Sequence, residues 1–320
     1  MANEEPHCMR VIAFFDGRPG HEKQTRGILH ALREMVELEI IERRVPQRSL
    51  WGDILDFLCL LRPGQGDYDS SFPEGDLLIG TGSRTHFPML RAKKQTGLPV
   101  VTCMTPAVFL RKQFDLIFAP EHDGVDARDN IIRTIGPPNC ATITEEKISG
   151  RGLILIGGID RKSHFWSSSD IEGYVRQIAK RENDVQWTIA TSPRTPAETV
   201  QRLDVLAQEI SNLRLFRFEE TASGWIERQY SECMRVWVTA DSMSMIYEAL
   251  SAGCRVGLLP LRWKKKNSKF RRSEEFLSRN GMVVSYLNWL SGTEVRQTKQ
   301  PLNEAKHCAE EILKRWLPKN

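Results

Sequence analysis

The chain has 320 residues, of which 45 are basic and 41 acidic, so its formal net charge at pH 7 is only +4. This length predicts two domains, and the small basic excess argues against a nucleic-acid partner. The seven cysteines form no C-x-x-C pair, which predicts free thiols in a reducing compartment rather than a disulfide framework or a zinc site.

The N-terminal residues 1–7 have neither the basic nor the apolar region of a signal peptide. No apolar run reaches the ~18 residues of a membrane span. The run Leu50–Leu61 contains Asp53 and Asp56, as in an amphipathic surface helix. We therefore expect a cytoplasmic protein, with peripheral contact to an anionic membrane surface as a further possibility.

Predicted strands alternate with helical patterns along the whole chain. The strands of the first half are Arg10–Phe15, Glu37–Ile41, Asp76–Ile79, Pro99–Cys103 and Phe114–Phe118. Those of the second half are Gly152–Ile156, Gln186–Ala190, Leu213–Phe218, Val236–Thr239, Arg255–Leu259 and the short Met282–Ser285. The helical patterns include Glu22–Met35, Asp170–Lys180, Pro196–Ile210, Ser242–Ala252 and Arg271–Asn280. This alternation predicts parallel sheets with right-handed crossovers.

A domain boundary is predicted in the polar stretch Thr142–Gly150, which follows the breaker pair Pro137–Pro138. We expect an α/β protein of two Rossmann-like domains that face each other across a cleft. The first covers residues 1–145 and the second residues 146–301, and the amphipathic helix in 302–318 is expected to pack back onto the first. Ligands of such sheets bind beyond the carboxyl ends of the strands, so the residues after each strand are the site candidates.

The first candidate loop follows the first strand and contains Asp16, Gly17, Arg18 and Gly20. Its glycines allow a tight turn close to a ligand. They bring His21 to the start of a helix, where an imidazole can act as a general base or orient a sugar hydroxyl. A plain strand-to-helix turn with an exposed histidine fits the same residues.

Two further candidates follow strands of the first half. The run Gly80–His86 resembles G-x-G-x-x-G, but Thr85 takes the sixth position and no acidic residue ends the next strand, which disfavours a dinucleotide site. Ser83 and Arg84 there suit an anionic or polyhydroxylated ligand. The second run, Glu121, His122 and Asp123, suits acid–base chemistry or acceptor binding, although a solvated loop is an equal alternative.

The second half offers three more candidate loops. Gly157 and Gly158 follow an apolar strand and leave room for a pyrophosphate against backbone amides. Ser192 and Arg194 follow the next strand, and Arg194 is suited to pair with a phosphate. After them, Thr195 is the predicted N-cap of a helix whose first turn contains Pro196.

The most specific run is Thr239–Ala249, which passes from a strand into a helix. Its Asp-Ser start predicts a capped N-terminus whose free N–H groups bind an anion. The expected nucleotide-contacting residues of this run are Asp241, Ser242, Ser244, Met245 and Glu248, the last as acceptor for the two hydroxyls of a ribose. A purely structural cap is the alternative.

A basic loop, residues 262–272, carries seven cations in eleven residues together with Trp263 and Phe270. This local field suits a diphosphate, an anionic acceptor or an anionic lipid. We assign Lys269 to the nucleotide site. A solvated basic loop remains the alternative for the whole stretch.

Taken together, these loops resemble the plant mitochondrial-fission ("elongated mitochondria") family and its bacterial relatives. The matching stretches are Asp16–Gln24, Gly82–Pro88, Phe114–Asp123, Gly157–Gly158, Thr191–Pro196 and Thr239–Ala249. The resemblance implies a GT-B architecture, similar to nucleotide-sugar glycosyltransferases. In that comparison Gly17–His21 resembles the acceptor-side loop, and Asp241–Glu248 resembles the donor-side helix.

The resulting expectation is an inverting glycosyltransferase that needs neither a cofactor nor a metal. A nucleotide-diphosphate sugar is the co-substrate on the C-terminal domain, and a cell-envelope glycan or lipid-linked acceptor binds the N-terminal domain. His21 is the first candidate base, with Glu121 and Asp123 in reserve. A non-catalytic, membrane-associated interaction protein of the same fold is the main alternative, and an NAD-dependent epimerase or reductase is disfavoured.

Overall fold

The computed structural model describes residues 8–46, 72–144, 147–265, 269–296, 298 and 302–317. The predicted helix Leu50–Leu61 and Lys266 of the basic loop lie outside these residues. The chain divides into two compact units. Unit 1 comprises Met1–Cys140 and Asn303–Asn320, and unit 2 comprises Ala141–Leu302.

Unit 1 is built on a six-stranded sheet in the order β2-β1-β3-β4-β5-β6, in which every neighbouring pair is parallel. Its strands are β1 (Met9–Phe15), β2 (Leu38–Arg44), β3 (Leu77–Thr81), β4 (Val100–Cys103), β5 (Leu116–Pro120) and β6 (Ile131–Thr134). The apolar run of β1 is buried along almost its whole length, because helices cover both faces of a parallel sheet.

Three helices of unit 1 are α1 (Pro19–Arg33), α2 (Ser83–Thr96) and the C-terminal helix, which is α9 (Glu304–Trp316) in chain order. The apolar face of α9 buries Cys308, Ala309 and Ile312 in the same core cluster as Ile28 and Leu32 of α1. Full burial of an isoleucine or leucine side chain stabilises by about 1.5–3 kcal/mol. The C-terminal helix is therefore part of the core of unit 1.

Unit 2 contains a second six-stranded parallel sheet in the order β10-β9-β7-β11-β12-β14. Its strands are β7 (Ile148–Leu155), β9 (Gln186–Ala190), β10 (Leu213–Phe216), β11 (Cys233–Thr239), β12 (Arg255–Leu259) and β14 (Val283–Ser285). Counted along the chain, this is the order 3-2-1-4-5-6 of a doubly wound fold. A separate two-stranded ribbon joins β8 (His164–Phe165) to β13 (Arg262–Trp263).

The helices of unit 2 are α3 (Ser168–Arg181), α4 (Ala197–Glu209), α5 (Trp225–Glu232), α6 (Met243–Ser251), α7 (Lys269–Arg279) and α8 (Tyr286–Leu290). None of the helices within the described ranges is long and apolar enough to cross a membrane. The six described cysteines are free thiols, as the sequence predicts.

In each sheet the chain adds strands toward one edge and then, from one point onward, toward the opposite edge. In unit 2 this topological switch point lies between β7 and β11, and in unit 1 it lies between β1 and β3. Loops leaving adjacent strands in opposite directions open a crevice at such a point, where ligands of open α/β sheets bind. The loops that follow these four strands therefore define the candidate sites.

Candidate functional site

At the switch point of unit 1, Asp16 and His21 form a hydrogen-bonded pair. Asp16 directly follows β1 and His21 lies in the first turn of α1, with 2.8 Å between Asp16 Oδ2 and His21 Nδ1. The carboxylate side chain is fully buried, whereas the imidazole is 16% exposed. A carboxylate accepts hydrogen bonds, so Nδ1 carries the proton and Nε2 is left as the basic nitrogen.

The loop after β3 reaches the same imidazole. Gly82 has a φ of 93° and a ψ of 156°, a conformation essentially limited to glycine. A Cβ added to Gly82 would overlap Nδ1 and Cε1 of His21. The hydroxyls of Thr81 and Thr25 also share a hydrogen bond of 2.8 Å, which ties the end of β3 to α1. The first two candidate loops therefore meet at His21.

A second histidine lies behind this pair. His86 in α2 is 4% exposed, and its ring packs edge-on against Phe114 at 5.2 Å. Burial, with a smaller contribution from the charge of His21, lowers the pKa of His86 to about 4. Its Nε2 has no hydrogen-bond partner among the described residues. The His86 side chain is therefore a neutral, buried neighbour of the Asp16–His21 pair.

The Glu121–Asp123 run forms a short 3-10 turn after β5. Glu121 is paired with Arg133, and Asp123 accepts a hydrogen bond of 2.9 Å from the Thr105 hydroxyl. His122 is buried. Since β3 and β4 separate β1 from β5, the strand spacing places this turn about 14 Å along the sheet edge from the first loop. The reserve bases are thus separate from His21.

A cavity of about 310 Å³ adjoins the first loop of unit 1. Its lining combines three cations with one carboxylate and the loop backbone: Gly17, Pro19, Glu22, Lys23, Arg26 and Arg44. Glu22 accepts from Arg44 at 2.6 Å and from the Gly17 amide at 3.1 Å. The remaining predicted acceptor-side residues, Arg18, Gly20 and Ser83, are exposed, and Arg84 is half-buried.

At the switch point of unit 2, Asp241 is the centre of the candidate site. Its side chain is 1% exposed and lies after β11. Asp241 Oδ2 accepts from the Arg194 guanidinium at 3.0 Å and from the Gly158 amide at 3.1 Å. Asp241 Oδ1 has no hydrogen-bond partner among the described residues. One buried carboxylate therefore joins the loops after β7, β9 and β11.

The glycine pair after β7 is required by packing. A Cβ on Gly157 would overlap the Asp241 carboxylate, and one on Gly158 would overlap the backbone of Arg194. The Gly157 amide donates to the Thr239 hydroxyl at 2.7 Å and the Gly158 amide to Asp241. The sequence argument expected these amides to face a pyrophosphate. The structure instead uses them to hold the loops together.

The loop after β9 corrects a second expectation. Helix α4 has Pro196 at its N-cap and no side-chain capping bond, so the prediction of Thr195 as the N-cap is wrong by one residue. The Thr195 hydroxyl instead donates to the carbonyl of Ile156 at 3.1 Å, and the Ser192 hydroxyl donates to the carbonyl of Gly157 at 2.9 Å. Both hydroxyls bind the backbone after β7, and the Arg194 side chain between them in sequence is 45% exposed.

Helix α6 begins beside Asp241. Ser242 is its N-cap residue but makes no side-chain capping hydrogen bond, which corrects the predicted Asp-Ser cap. The first N–H groups of a helix have no intrahelical partner, and the exposed Ser244 lies in this first turn. This end of α6 combines a positive dipole with the Arg194 guanidinium, a combination that suits an anion.

Glu248 lies farther along α6 and is 8% exposed. Its carboxylate shares a hydrogen bond with the buried Tyr230, whose hydroxyl also donates to the Met245 carbonyl at 3.3 Å. Burial, and then the charge of Glu248, raises the pKa of Tyr230 well above its ordinary value. The carboxylate proposed to hold a ribose is therefore already positioned by a tyrosine.

Lys269 is the first residue of α7, and its ammonium lies 5.5 Å from the ring of Phe270. Helix α7 is attached to α6 by a 2.8 Å hydrogen bond between Ser273 and Tyr247. That bond links the helix of Lys269 to the helix of Glu248. The contact described for the Lys269 ammonium is this cation–π contact with Phe270.

Three residues that shape these sites were not selected as site residues from the sequence, although Thr239 and His86 lie within candidate runs. Thr239 binds the Gly157 amide. His164 is 3% exposed, and its Nε2 lies 3.1 Å from the Gly158 carbonyl oxygen. The third is His86. Nothing in a single sequence indicates that His164 folds back onto a loop six residues earlier, since the contact depends on the β8–β13 ribbon. Among the described residues, no group of three or more metal-ligating side chains could hold a metal ion.

The fold is shared with enzymes that act on nucleotide sugars. The chain is similar to UDP-GlcNAc 2-epimerase from Methanocaldococcus jannaschii, with a TM-score of 0.60 and 12% identity over 95% of this chain and 98% of that one. It is similar to UDP-GlcNAc 2-epimerase from Neisseria meningitidis bound to UDP-GlcNAc, with a TM-score of 0.54 and 15% identity over 97% of this chain and 100% of that one.

A third similar structure is the glycotransferase of kitacinnamycin, with a TM-score of 0.57 and 11% identity over 98% of this chain and 100% of that one. These likenesses cover both units and show a GT-B-type fold, but a fold alone does not select a reaction. No relative is found among curated protein sequences. The model of the family described as Mitochondrial fission ELM1 matches residues 19–316, nearly the whole chain, and the protein therefore belongs to that family.

Proposed function

We propose that unit 2 binds a nucleotide-diphosphate sugar and that the protein transfers the sugar to an acceptor bound by unit 1. The observation that carries this proposal is the convergence of Gly158, Arg194 and Asp241 at the switch point of unit 2. The chain's likeness to enzymes of nucleotide sugars, one of them bound to UDP-GlcNAc, supports the same ligand class.

The diphosphate is proposed to bind at the N-terminus of α6. Arg194 is 45% exposed, so part of its guanidinium can bind phosphate oxygens while Asp241 holds the other part. The N–H groups at Ser244 and Met245 would add hydrogen bonds and the favourable helix dipole. Glu248, positioned by Tyr230, would accept the ribose hydroxyls, and Lys269 would help neutralise the leaving diphosphate.

The acceptor is proposed to react at His21. Its Nε2 would take the proton of the attacking hydroxyl, and the acceptor oxygen would form a bond to the anomeric carbon as the bond to the nucleoside diphosphate breaks. Asp16 would stabilise the imidazolium formed in this step, as a carboxylate does for a general-base histidine. The cavity beside Gly17 is proposed to receive the acceptor, such as a cell-envelope glycan or lipid-linked sugar.

Nucleotide binding is tested by calorimetry with UDP. We expect Arg194→Ala to weaken binding by about 1.5–3 kcal/mol, the range for a hydrogen bond to a charged group. Arg202→Ala is the matched control, because Arg202 is equally exposed at 43% but pairs with Glu172 and Glu198 on α3 and α4. Equal affinities in wild type and Arg194→Ala would refute this site.

A sugar epimerase is the second candidate, favoured by the fold shared with two UDP-GlcNAc 2-epimerases. Incubation with UDP-GlcNAc separates the two reactions. Epimerisation yields a C2-inverted UDP-sugar without an acceptor, whereas transfer releases UDP only when an acceptor is present. UDP binding with neither product over a panel of nucleotide sugars and glycan acceptors would favour the non-catalytic interaction protein.

A further inference from the structure

The β8–β13 ribbon of unit 2 has two chemically different faces. In its register Arg262 is opposite Phe165, and Trp263 is opposite His164. Directly opposed residues of an antiparallel pair project to the same side, and successive residues project to opposite sides. One face therefore carries Phe165 with Arg262, and the other carries His164 with Trp263.

The face with His164 and Trp263 is anchored to unit 2. The two rings meet edge-on at 5.8 Å, and His164 binds the Gly158 carbonyl. The Trp263 indole N–H donates to Glu274 of α7 at 2.9 Å. Both strands of the ribbon are thereby attached to the rest of unit 2, which fixes the orientation of the opposite face.

The opposite face exposes an apolar ring surrounded by cations. Phe165 is 52% exposed. The Arg262 guanidinium lies 5.2 Å and the Lys264 ammonium 4.8 Å from the ring centroid. Lys264 also donates to the Arg161 carbonyl at 2.7 Å, which connects the ribbon to the loop before β8.

That loop and Lys265, which follows Lys264, add further exposed side chains next to the ribbon. Ile159 is 46% exposed, and Arg161, Lys162 and Lys265 are exposed. We call the whole set the ribbon patch: Ile159, Arg161, Lys162, Phe165, Arg262, Lys264 and Lys265. It contains five cations and two exposed apolar side chains. The neighbouring carboxylate, Asp160, already accepts from the Lys162 amide at 2.9 Å.

We propose that the ribbon patch docks onto an anionic lipid bilayer. Exposed aromatic and aliphatic side chains within a cationic surface combine the two terms that hold a peripheral protein at a membrane: apolar insertion at the interface and attraction to anionic headgroups. Phe165 projects from the ribbon on the side opposite to His164, which holds the Gly158 loop. The Ile159 end of the patch adjoins the Arg194 loop, since the Ile159 amide donates to the Arg194 carbonyl at 3.0 Å.

The test is sedimentation of the full-length protein with vesicles in the absence of nucleotide. We expect binding to vesicles of phosphatidylcholine with 30% phosphatidylglycerol and little binding to pure phosphatidylcholine, and we expect salt to weaken it through charge screening. At about 1 kcal/mol per cation, or roughly fivefold, Arg262→Gln/Lys265→Gln should lower the partition coefficient about 25-fold. Phe165→Ser should lower it with all five cations retained.

The matched control is Lys306→Gln/Lys314→Gln, which removes the same charge from α9, where these side chains are 58% and 72% exposed. An equal loss of vesicle binding in this control would show that net charge alone accounts for the effect, and would overturn the proposal. Unchanged vesicle binding in both patch variants, or wild-type binding to single-stranded DNA but not to vesicles, would overturn it too. Wild-type unfolding curves and UDP affinity in the patch variants would show that folding and the nucleotide site are intact.

Discussion

The imidazole of His21 lies directly against the α-carbon of Gly82, in the space that a side chain on Gly82 would fill. This contact joins the loops after β1 and β3, which are adjacent strands of unit 1. The ring is held from one side by the Asp16 carboxylate and from the other by a glycine backbone. Its position is therefore over-determined, as expected for a side chain whose orientation matters to chemistry.

Gly82→Ala is predicted to impair turnover. The new methyl group must displace the His21 ring, and misplacing a catalytic group by about 1 Å can cost about 10²-fold in rate. Gly97→Ala is the control, because Gly97 also has a positive φ of 75° but has nothing within 4 Å of an added Cβ. Both variants should lose about 1–3 kcal/mol of stability from backbone strain. Equal turnover in the two variants would separate Gly82 from catalysis.

Asp16→Asn and His21→Ala address the proposed base directly. His21→Ala should lower the transfer rate by about 10²–10⁴-fold, the usual contribution of a general base. Asp16→Asn should also lower the rate, because an amide cannot stabilise the imidazolium and permits the other tautomer. UDP affinity, measured by calorimetry, should stay at the wild-type value in both. A fully active His21→Ala enzyme would pass the role to Glu121 or Asp123.

Variants of Glu248 and of its neighbour Tyr230 test whether the Glu248 carboxylate binds the ribose. Glu248→Ala should weaken UDP binding by about 1.5–3 kcal/mol, because the ribose hydroxyls lose a charged acceptor. Tyr230→Phe keeps the carboxylate and removes only the buried hydroxyl, so it should reduce affinity less while lowering the free energy of unfolding by about 1 kcal/mol. If Glu248→Ala binds UDP normally and only destabilises the fold, the carboxylate serves Tyr230 alone.

Most of the fold follows from local sequence patterns. Each of the eleven predicted strands has a counterpart, since apolar runs such as Val11–Phe15 and Leu153–Ile156 are buried in parallel sheets. The strands that the sequence did not predict are β6, β8 and β13, which have four, two and two residues. The two-residue strands β8 and β13 have too few residues for a periodic pattern, so their pairing alone defines them.

The sequence predicts which loops form the candidate sites, but it does not predict the contacts between those loops. Glycine pairs and helix starts after strands identify the switch points, because they reflect local backbone requirements. The Arg194–Asp241 pair and the His164–Gly158 bond join residues 47 and 6 positions apart through tertiary packing. Ser242 and Thr195 are residue types that commonly cap helices. The Thr195 hydroxyl nevertheless donates to the Ile156 carbonyl, a tertiary contact that the sequence does not indicate.

His86 should make the stability of unit 1 depend on pH in the acid range. Its pKa is about 4 in the folded protein and about 6.5 in an unfolded chain. Between these values the unfolded chain binds a proton that the folded protein does not, so the free energy of unfolding falls as the pH falls. The loss begins near pH 6.5 and reaches about 3 kcal/mol near pH 4, at 1.36 kcal/mol per pKa unit.

Denaturant unfolding at pH 7, 5.5 and 4.5 measures this effect. His86→Phe removes the titrating group and retains an aromatic ring beside Phe114, so the stability that the wild type has at pH 7 relative to this variant should shrink steadily as the pH falls. His30→Gln is the control, since the His30 side chain is 56% exposed on α1; its difference from wild type should change much less. All other ionisable groups are common to the proteins compared, and the differences between variants remove their contribution. A wild-type minus His86→Phe difference that is constant from pH 7 to 4.5 would mean that the imidazole has the same pKa in the folded and unfolded states, and would overturn this prediction.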